Sequence, residues 1–337
     1  MRYHQNHFKL LLLLYFLLIN QTYSQIAEWN IFNKSNSLLP GNNIYGITSD
    51  NFSNYWIGTD KGGVAKFDGA TWTVYNTEDA DLPDALISDI IIDYMGNKWI
   101  STYGGGLLRF DNSRFIVYDV TNSKLPSNFI NSLYYEHPVS IWVGTYKGGL
   151  AKFDGYKWTV YNSLNSPLPD NNITTLCGQD NSLIWIGTEK RGISKFDGKK
   201  WINYNTKNSA LPSDIINSIA IETGNIIWIG TYAGLVSFDG KKWTVYNTKN
   251  SELKSDIITC IFIDRKGKKW IGTMGGGLAA FDGKNWQIYN TNNSPIPNNF
   301  IKKLFIDNSG NVLVGTTGGG LAILYFKNII NEVIKKF

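Results

Sequence analysis

Residues 215–246 read IINSIAIETGNIIWIGTYAGLVSFDGKKWTVY, and this stretch decides the fold. It holds four short runs, 215–221, 226–231, 234–238 and 243–246, dominated by β-branched and aromatic residues. Such residues suit the pleated, half-buried surface of a strand. Glu222-Thr223-Gly224-Asn225 turns the first run into the second, and Asp239-Gly240 offers a tight turn between the third and fourth. The stretch predicts four antiparallel strands joined by short connections.

The same unit recurs along the chain. Tetrads like Trp228-Ile229-Gly230-Thr231 begin at Trp56, Trp99, Trp142, Trp185, Trp228, Trp270 and Leu313, spaced 43, 43, 43, 43, 42 and 43 residues apart. A W-x-V-Y-like motif begins at Trp29, Trp72, Phe115, Trp158, Trp201, Trp243 and Trp286. Leu-Pro recurs at Leu39, Leu82, Leu125, Leu168 and Leu211, with Leu253-Lys254 and Ile296-Pro297 as variants. Each series has seven members. Four short strands at a period near 43 predict a β-propeller blade. The last repeat stops after its third run, at Leu321-Ala322-Ile323-Leu324, whereas residues 29–32 form a fourth run with no predecessors. Pairing the two closes a ring and removes the open edges between first and last blades. The expectation is an all-β, seven-bladed β-propeller of four-stranded antiparallel blades over residues 25–327, its last blade completed by the N-terminal strand.

Composition narrows the function classes. The 337 residues are 43% hydrophobic and 18% charged, a globular balance. There are 3 His, and His4 and His7 precede the repeats, so His137 alone remains among them. A His-built metal centre or catalytic triad does not fit. Arg2 and Lys9 flank an apolar run of ten residues, 10–19, followed by Thr22 and Ser24 at the small-residue positions of a signal-peptidase site. Ten residues are too few for a spanning helix, which needs about 20. Residues 1–24 are therefore expected to be a signal peptide cleaved near Ser24, and the protein to be secreted or periplasmic, with no transmembrane segment in the mature chain. The remaining 30 basic and 27 acidic residues are too evenly balanced to imply nucleic acid. Residues 328–337 carry Ile329, Ile330, Val333, Ile334 and Phe337 at helical spacing behind a capping Asn328, which predicts a short helical tail. Cys177 and Cys260 fall in different repeat phases and are expected to be two buried thiols.

Two repeated residue types invite functional readings that the period itself argues against. All 12 Trp occupy the two repeat series, so they serve packing between blades and leave none for a private site. Asp68, Asp111, Asp154, Asp197, Asp239 and Asp282 follow a Phe and precede Gly or Asn in every copy. A side-chain turn at the hairpin accounts for them better than a ring of metal sites does. No catalytic residue, metal or cofactor is assigned.

GNKWISTYGGGL at 96–107 and KKWIGTMGGGL at 268–278 resemble the two-component regulator propeller repeat, and the likeness extends over nearly the whole mature chain in seven copies. In that family the repeats form extracytoplasmic sensor regions of bacterial hybrid histidine kinases, often as two seven-bladed propellers in tandem. The present sequence offers one ring, and no kinase or DNA-binding segment is expected. WD40 and kelch repeats fit less well: no Trp-Asp pair closes a repeat, and the period is short for kelch. The resemblance implies a non-catalytic extracytoplasmic ligand-binding or sensing propeller, glycan-related and linked to two-component signalling, with an oligosaccharide or a protein as partner. The alternative is a propeller lyase or hydrolase acting on a polysaccharide or a small molecule. Lyases of this shape use His and a divalent metal, and His137 before Pro138 reads as a turn residue instead.

The candidate ligand site follows from where the repeats differ. The residue after each tetrad reads Asp60, Tyr103, Tyr146, Glu189, Tyr232, Met274 and Thr317, the most varied slot in an otherwise repetitive motif. Lys61, Lys147 and Lys190 come next, and Arg191 replaces a repeated Gly. This slot belongs to the loops between second and third strands, which share one face of a propeller. Three Tyr at that face offer flat stacking surfaces and hydroxyls at low entropic cost.

Overall fold

The computed structural model describes residues 25–78, 82–179 and 183–328. Every regular element there is a strand, and the strands form seven four-stranded antiparallel sheets. The inner strands are Ile44–Ser49, Ile87–Ile92, Ile130–Glu136, Ile173–Gln179, Ile216–Glu222, Ile258–Ile263 and Ile301–Ile306, which number blades 1 to 7. They stand side by side around one axis, with blade 7 beside blade 1. The ring closes as the permuted repeat requires. Gln25–Phe32 pairs with Leu321–Asn328 through eight residue pairs, from Gln25 with Asn328 to Phe32 with Leu321. Asn328 is the last residue of that strand. The expected tail at 329–337 and signal peptide at 1–24 lie outside the described residues.

The blades are held by one interface used seven times. In the tetrad, the Gly lies where the next blade's inner strand begins. A Cβ on Gly144 would stand 2.6 Å from Ile173 Cγ2, and one on Gly315 would stand 2.7 Å from Ile44 Cγ2, across the closing interface. Ile at the head of an inner strand seats in the gap that Gly leaves, so the sheets approach more closely than any side chain there would permit. Around this contact the aromatic residues interlock. Trp of the second strand stacks on Tyr of the outer strand in six blades, with centroids 5.5–6.1 Å apart. On the opposite face of the same six blades, Phe of the third strand stacks on the outer-strand Trp or Phe at 4.0–4.8 Å. Each Trp–Tyr pair meets the next blade's Phe, as Trp56 and Tyr75 meet Phe110 at 6.0 and 5.3 Å. The strand Gln25–Phe32 ties both neighbours together. Trp29 packs edge-on against Tyr289 of blade 6, while Phe32 packs against Phe67 and Trp72 of blade 1.

The repeated Asp residues are turn formers. Oδ1 of Asp68, Asp111, Asp154, Asp197, Asp239 and Asp282 each accepts two backbone amides, two and three residues on. Those amides hold the carboxyls of Asp154, Asp197 and Asp239 below the usual carboxylate range. Both thiols are free; Cys260 is buried and Cys177 is partly exposed as a residue, and burial raises the pKa of both thiol groups.

A second acid position sits six residues before each Trp of the tetrad. Asp50, Asp93, Glu136, Glu222 and Asp264 accept the Trp Nε1–H at 2.7–3.2 Å. Blade 4 has Gln179 there; its amide donates to Asn225 Oδ1, and Trp185 Nε1 is buried with no acceptor among the described residues.

Two predictions follow from these contacts. Deleting residues 25–33 removes a whole outer strand and the aromatic bridge between blades 6 and 1, and should lower the melting temperature by more than about 10 °C; a truncated ring that melts like the full chain would contradict the closure. Gln179→Glu puts a carboxylate where five other blades hold one, and Lys195 Nζ lies 5.6 Å from the Trp185 ring. It should stabilise the fold by about 1 kcal/mol in denaturant titration, whereas Glu222→Gln should destabilise it.

Candidate functional site

The seven inner strands enclose an axial channel with two chambers. The upper one has a volume of about 550 Å³ and the lower about 250 Å³, and both are bordered by Asp89, Ser132, Thr175, Ser218, Cys260 and Lys303. The upper chamber opens on the face that carries the tetrad loops. Its walls are polar because the second and third residues of each inner strand point inward at a register irregularity shared by all seven blades.

These wall residues stitch one blade to the next. At the second position, Asn131 and Asn217 donate Nδ2–H to the carbonyls of Ile173 and Ile258, both at 2.8 Å. Thr174 and Thr259 donate their hydroxyls to the carbonyls of Ile216 and Ile301, at 2.5 and 2.6 Å. At the third position the side chains accept instead. Ser132 Oγ takes the amide of Leu176 at 3.1 Å, Ser218 Oγ that of Ile261 at 2.9 Å, and Asp89 Oδ2 that of Leu133 at 3.1 Å. Blade 1 has Gly46 at this position and supplies no acceptor, and the amide of Ile90 bonds to Asp89 Oδ1 at 3.0 Å. Lys303 of blade 7 reaches across to blade 2, where its Nζ donates to Asp89 Oδ1 at 2.7 Å. The ion pair links blades 7 and 2 at the level where the two chambers meet.

The rim is rigidly built. In all seven tetrads the buried Thr hydroxyl donates to the carbonyl of the Gly that ends the loop, at 2.7–3.0 Å. That Gly needs a left-handed backbone: Gly63 has φ +88°, and a Cβ on it would stand 2.2 Å from the Tyr75 carbonyl oxygen. The slot residue that follows the Thr also has a fixed backbone. The amides of Asp60, Tyr103, Tyr146, Glu189, Tyr232, Met274 and Thr317 all bond to the carbonyl just ahead of an inner strand, at 2.8–3.2 Å. Only the side chain at this slot differs from blade to blade.

Tyr103, Tyr146, Glu189, Tyr232 and Met274 border the upper chamber. Tyr103 packs edge-on against Phe129 at 5.2 Å and lies 6.4 Å from Tyr146, which makes a partly exposed aromatic wall on blades 2 and 3. Asp60, Lys61, Lys147, Lys190, Arg191 and Thr317 stand outside the chamber lining. Asp60 accepts from Asn43 Nδ2 at 2.6 Å, and the Lys147 ammonium lies over the Tyr146 ring at 4.9 Å. Lys61, Lys190 and Arg191 are exposed on the outer part of the same face. Sequence reasoning missed Phe129, Asp89, Lys302 and Lys303, and with them the whole inner-strand wall. The signal was present: each inner strand opens with Ile and then carries two residues that vary from Tyr45-Gly46 to Lys302-Lys303 within an apolar run.

His137 lies at the opposite end of the ring, in the hairpin between first and second strands, with its ring 5.6 Å from Tyr94 and 6.4 Å from Tyr135. Among the described residues no three His, Cys, Asp or Glu side chains gather closely enough to hold a metal ion, and no helix is long and apolar enough to cross a membrane.

The family model for the two-component regulator propeller matches residues 38–61, the entry loop, inner strand and tetrad of blade 1. No curated protein sequence matches the chain. Solved structures do. The extracellular domain of BT3049 from B. thetaiotaomicron, described as a hybrid two-component system, is similar with a TM-score of 0.76 and 24% identity, over 88% of this chain and 41% of that one. The extracellular domain of BT4673 from the same organism, described as a one-component system, is similar with a TM-score of 0.72 and 19% identity, over 89% and 43%. Virginiamycin B lyase from Staphylococcus aureus is similar with a TM-score of 0.71 and 13% identity, over 89% and 99%. The chain spans about two fifths of the length of the two sensor structures, and at these identities the likeness is one of fold. The protein is a seven-bladed propeller in which residues 38–61 match the two-component regulator propeller repeat.

Proposed function

We propose that this propeller is a non-catalytic, extracytoplasmic binding module that takes the end of an oligosaccharide into its upper chamber, as the recognition part of a sensing system linked to two-component signalling. The observation that carries this reading is the aromatic wall of Phe129, Tyr103 and Tyr146 at the mouth of a chamber whose sides are polar. Sugar rings present an apolar face to aromatic side chains and hydroxyls at their edges. Thr174 and Thr259 donate their only hydroxyl protons to neighbouring carbonyls, so their oxygens offer lone pairs to the channel. Such walls accept hydrogen bonds from sugar hydroxyls. A fixed loop backbone keeps the tyrosines in place before binding, which lowers the ordering cost of association. The extracellular sensor domains share this architecture, which supports the location and the sensing role. Gln25 and Asn328, the two ends of the described chain, are paired at the opposite face, so attachments there leave the chamber mouth open.

The test is a glycan array followed by titration. Replacing Tyr103, Tyr146 and Tyr232 together by Ala should weaken the best saccharide by at least about tenfold at an unchanged melting temperature. His137→Ala should leave affinity intact, and no product should form on prolonged incubation. Unchanged affinity in the triple variant would move the site to the other face, and turnover abolished by His137→Ala would establish a lyase instead.

A further inference from the structure

Four charged side chains border the upper chamber, and three of them are already engaged. Asp89 and Lys303 neutralise each other at 2.7 Å. Glu189 accepts from Asn172 Nδ2 at 2.7 Å. The fourth is Lys302, at the second position of the blade 7 inner strand. Its ammonium stands 4.8 Å from the centre of the Tyr45 ring, and among the described residues no carboxylate pairs with it. The side chain is exposed to the channel, and desolvation by the surrounding protein lowers its pKa, an effect to which the Lys303 ammonium adds.

We propose that the ligand of this chamber is an acidic saccharide whose carboxylate or sulfate group seats on Lys302. The inference rests on the saccharide reading above and names the ligand class within it. The chemistry of the wall leaves an anion one place to go. Thr174 and Thr259 turn oxygen lone pairs to the channel, and these repel an anion while accepting sugar hydroxyls. Lys302 is the strong donor that has no acceptor among the described residues, and an anion beside it offsets both its desolvation and the repulsion from Lys303. Tyr45, at the same position of the adjoining blade, supplies the ring face on which the ammonium is held. A neutral saccharide would leave that charge without a counterion.

The test uses the full chain and two matched pairs of probes, trigalacturonate with its methyl ester and a carrageenan oligosaccharide with its desulfated form, titrated by calorimetry at low and high salt. At least one acidic member should bind about tenfold or more tightly than its neutral partner, with the margin shrinking as salt rises. In Lys302→Gln the margin should fall to within about twofold at an unchanged melting temperature, and Lys302→Arg should retain most of it. The two pairs distinguish a carboxylate-specific seat from a sulfate-specific one. A margin that survives in Lys302→Gln, or no acidic probe binding at all, would overturn the proposal. Tyrosine-dependent binding of the neutral forms without any acidic margin would also overturn it, while leaving the saccharide reading in place.

Discussion

The structure depends on the fit of an isoleucine at the head of each inner strand into the gap beside a tetrad glycine of the blade before it. Cβ positions on Gly58, Gly144, Gly187, Gly230, Gly272 and Gly315 would all come within 2.7 Å of the next blade's side chain. Overpacking of this kind costs about 1–3 kcal/mol at a single site, and the same contact sets the spacing of every blade. Because the ring is closed, an error in spacing cannot be relieved at a free edge. It would be passed to the contact between Gly315 and Ile44, where the chain's last complete tetrad meets its first inner strand. Blade 2 shows the tolerance of the scheme: Ser101 replaces Gly there, and its hydroxyl finds Ser88 at 2.8 Å.

Blade spacing also fixes the channel. Bonds such as Asn131 to Ile173 and Ser132 to Leu176 run from one inner strand to the next only at this separation. From blade 2 to blade 7 the wall is therefore a polar network, and its members are constrained on one side by the interface and on the other by the cavity. The exception at blade 1 is instructive. Gly46 breaks the series, and Lys303 of blade 7 bonds instead to Asp89 of blade 2. A Cβ at position 46 would stand 3.0 Å from Ile90 Cγ1 and 3.2 Å from its amide nitrogen, so the neighbouring blade leaves little room there. Above this level the tetrad Thr and its glycine loop hold the rim, so the chain can vary the slot side chain without disturbing the blade beneath it.

The fold was legible because packing imposes the same demand seven times. The 43-residue period, the six Trp in each of two series and the missing fourth strand of the last repeat led to the closed ring without ambiguity. Strand boundaries were off by one residue at most in the unit that was read closely: Ile216–Glu222 in place of 215–221. The rim tyrosines were found because a variable slot inside a constant motif stands out. The inner wall was overlooked for a physical reason. A polar pair such as Asn217-Ser218 inside an apolar strand reads as ordinary alternation, and nothing local reveals that both residues face the axis at a bulge. Lys302 and Asp89 acquire meaning only when residues 213 positions apart are brought to one cavity. Trp185 and Gln179 were equally silent, since the absent acceptor is visible only against the five blades that possess one.

The central claim is that the ring recognises its ligand in the upper chamber, on an aromatic wall of blades 2 and 3. The most direct measurement is a crystal structure of the full chain grown with the tightest saccharide found. The account predicts a sugar ring against Tyr103 and Tyr146, with its hydroxyls on the inner-strand side chains and its acidic group within about 3 Å of Lys302 Nζ. Density for the saccharide on the opposite face, beside Tyr94 and His137, with the chamber holding only water, would contradict it.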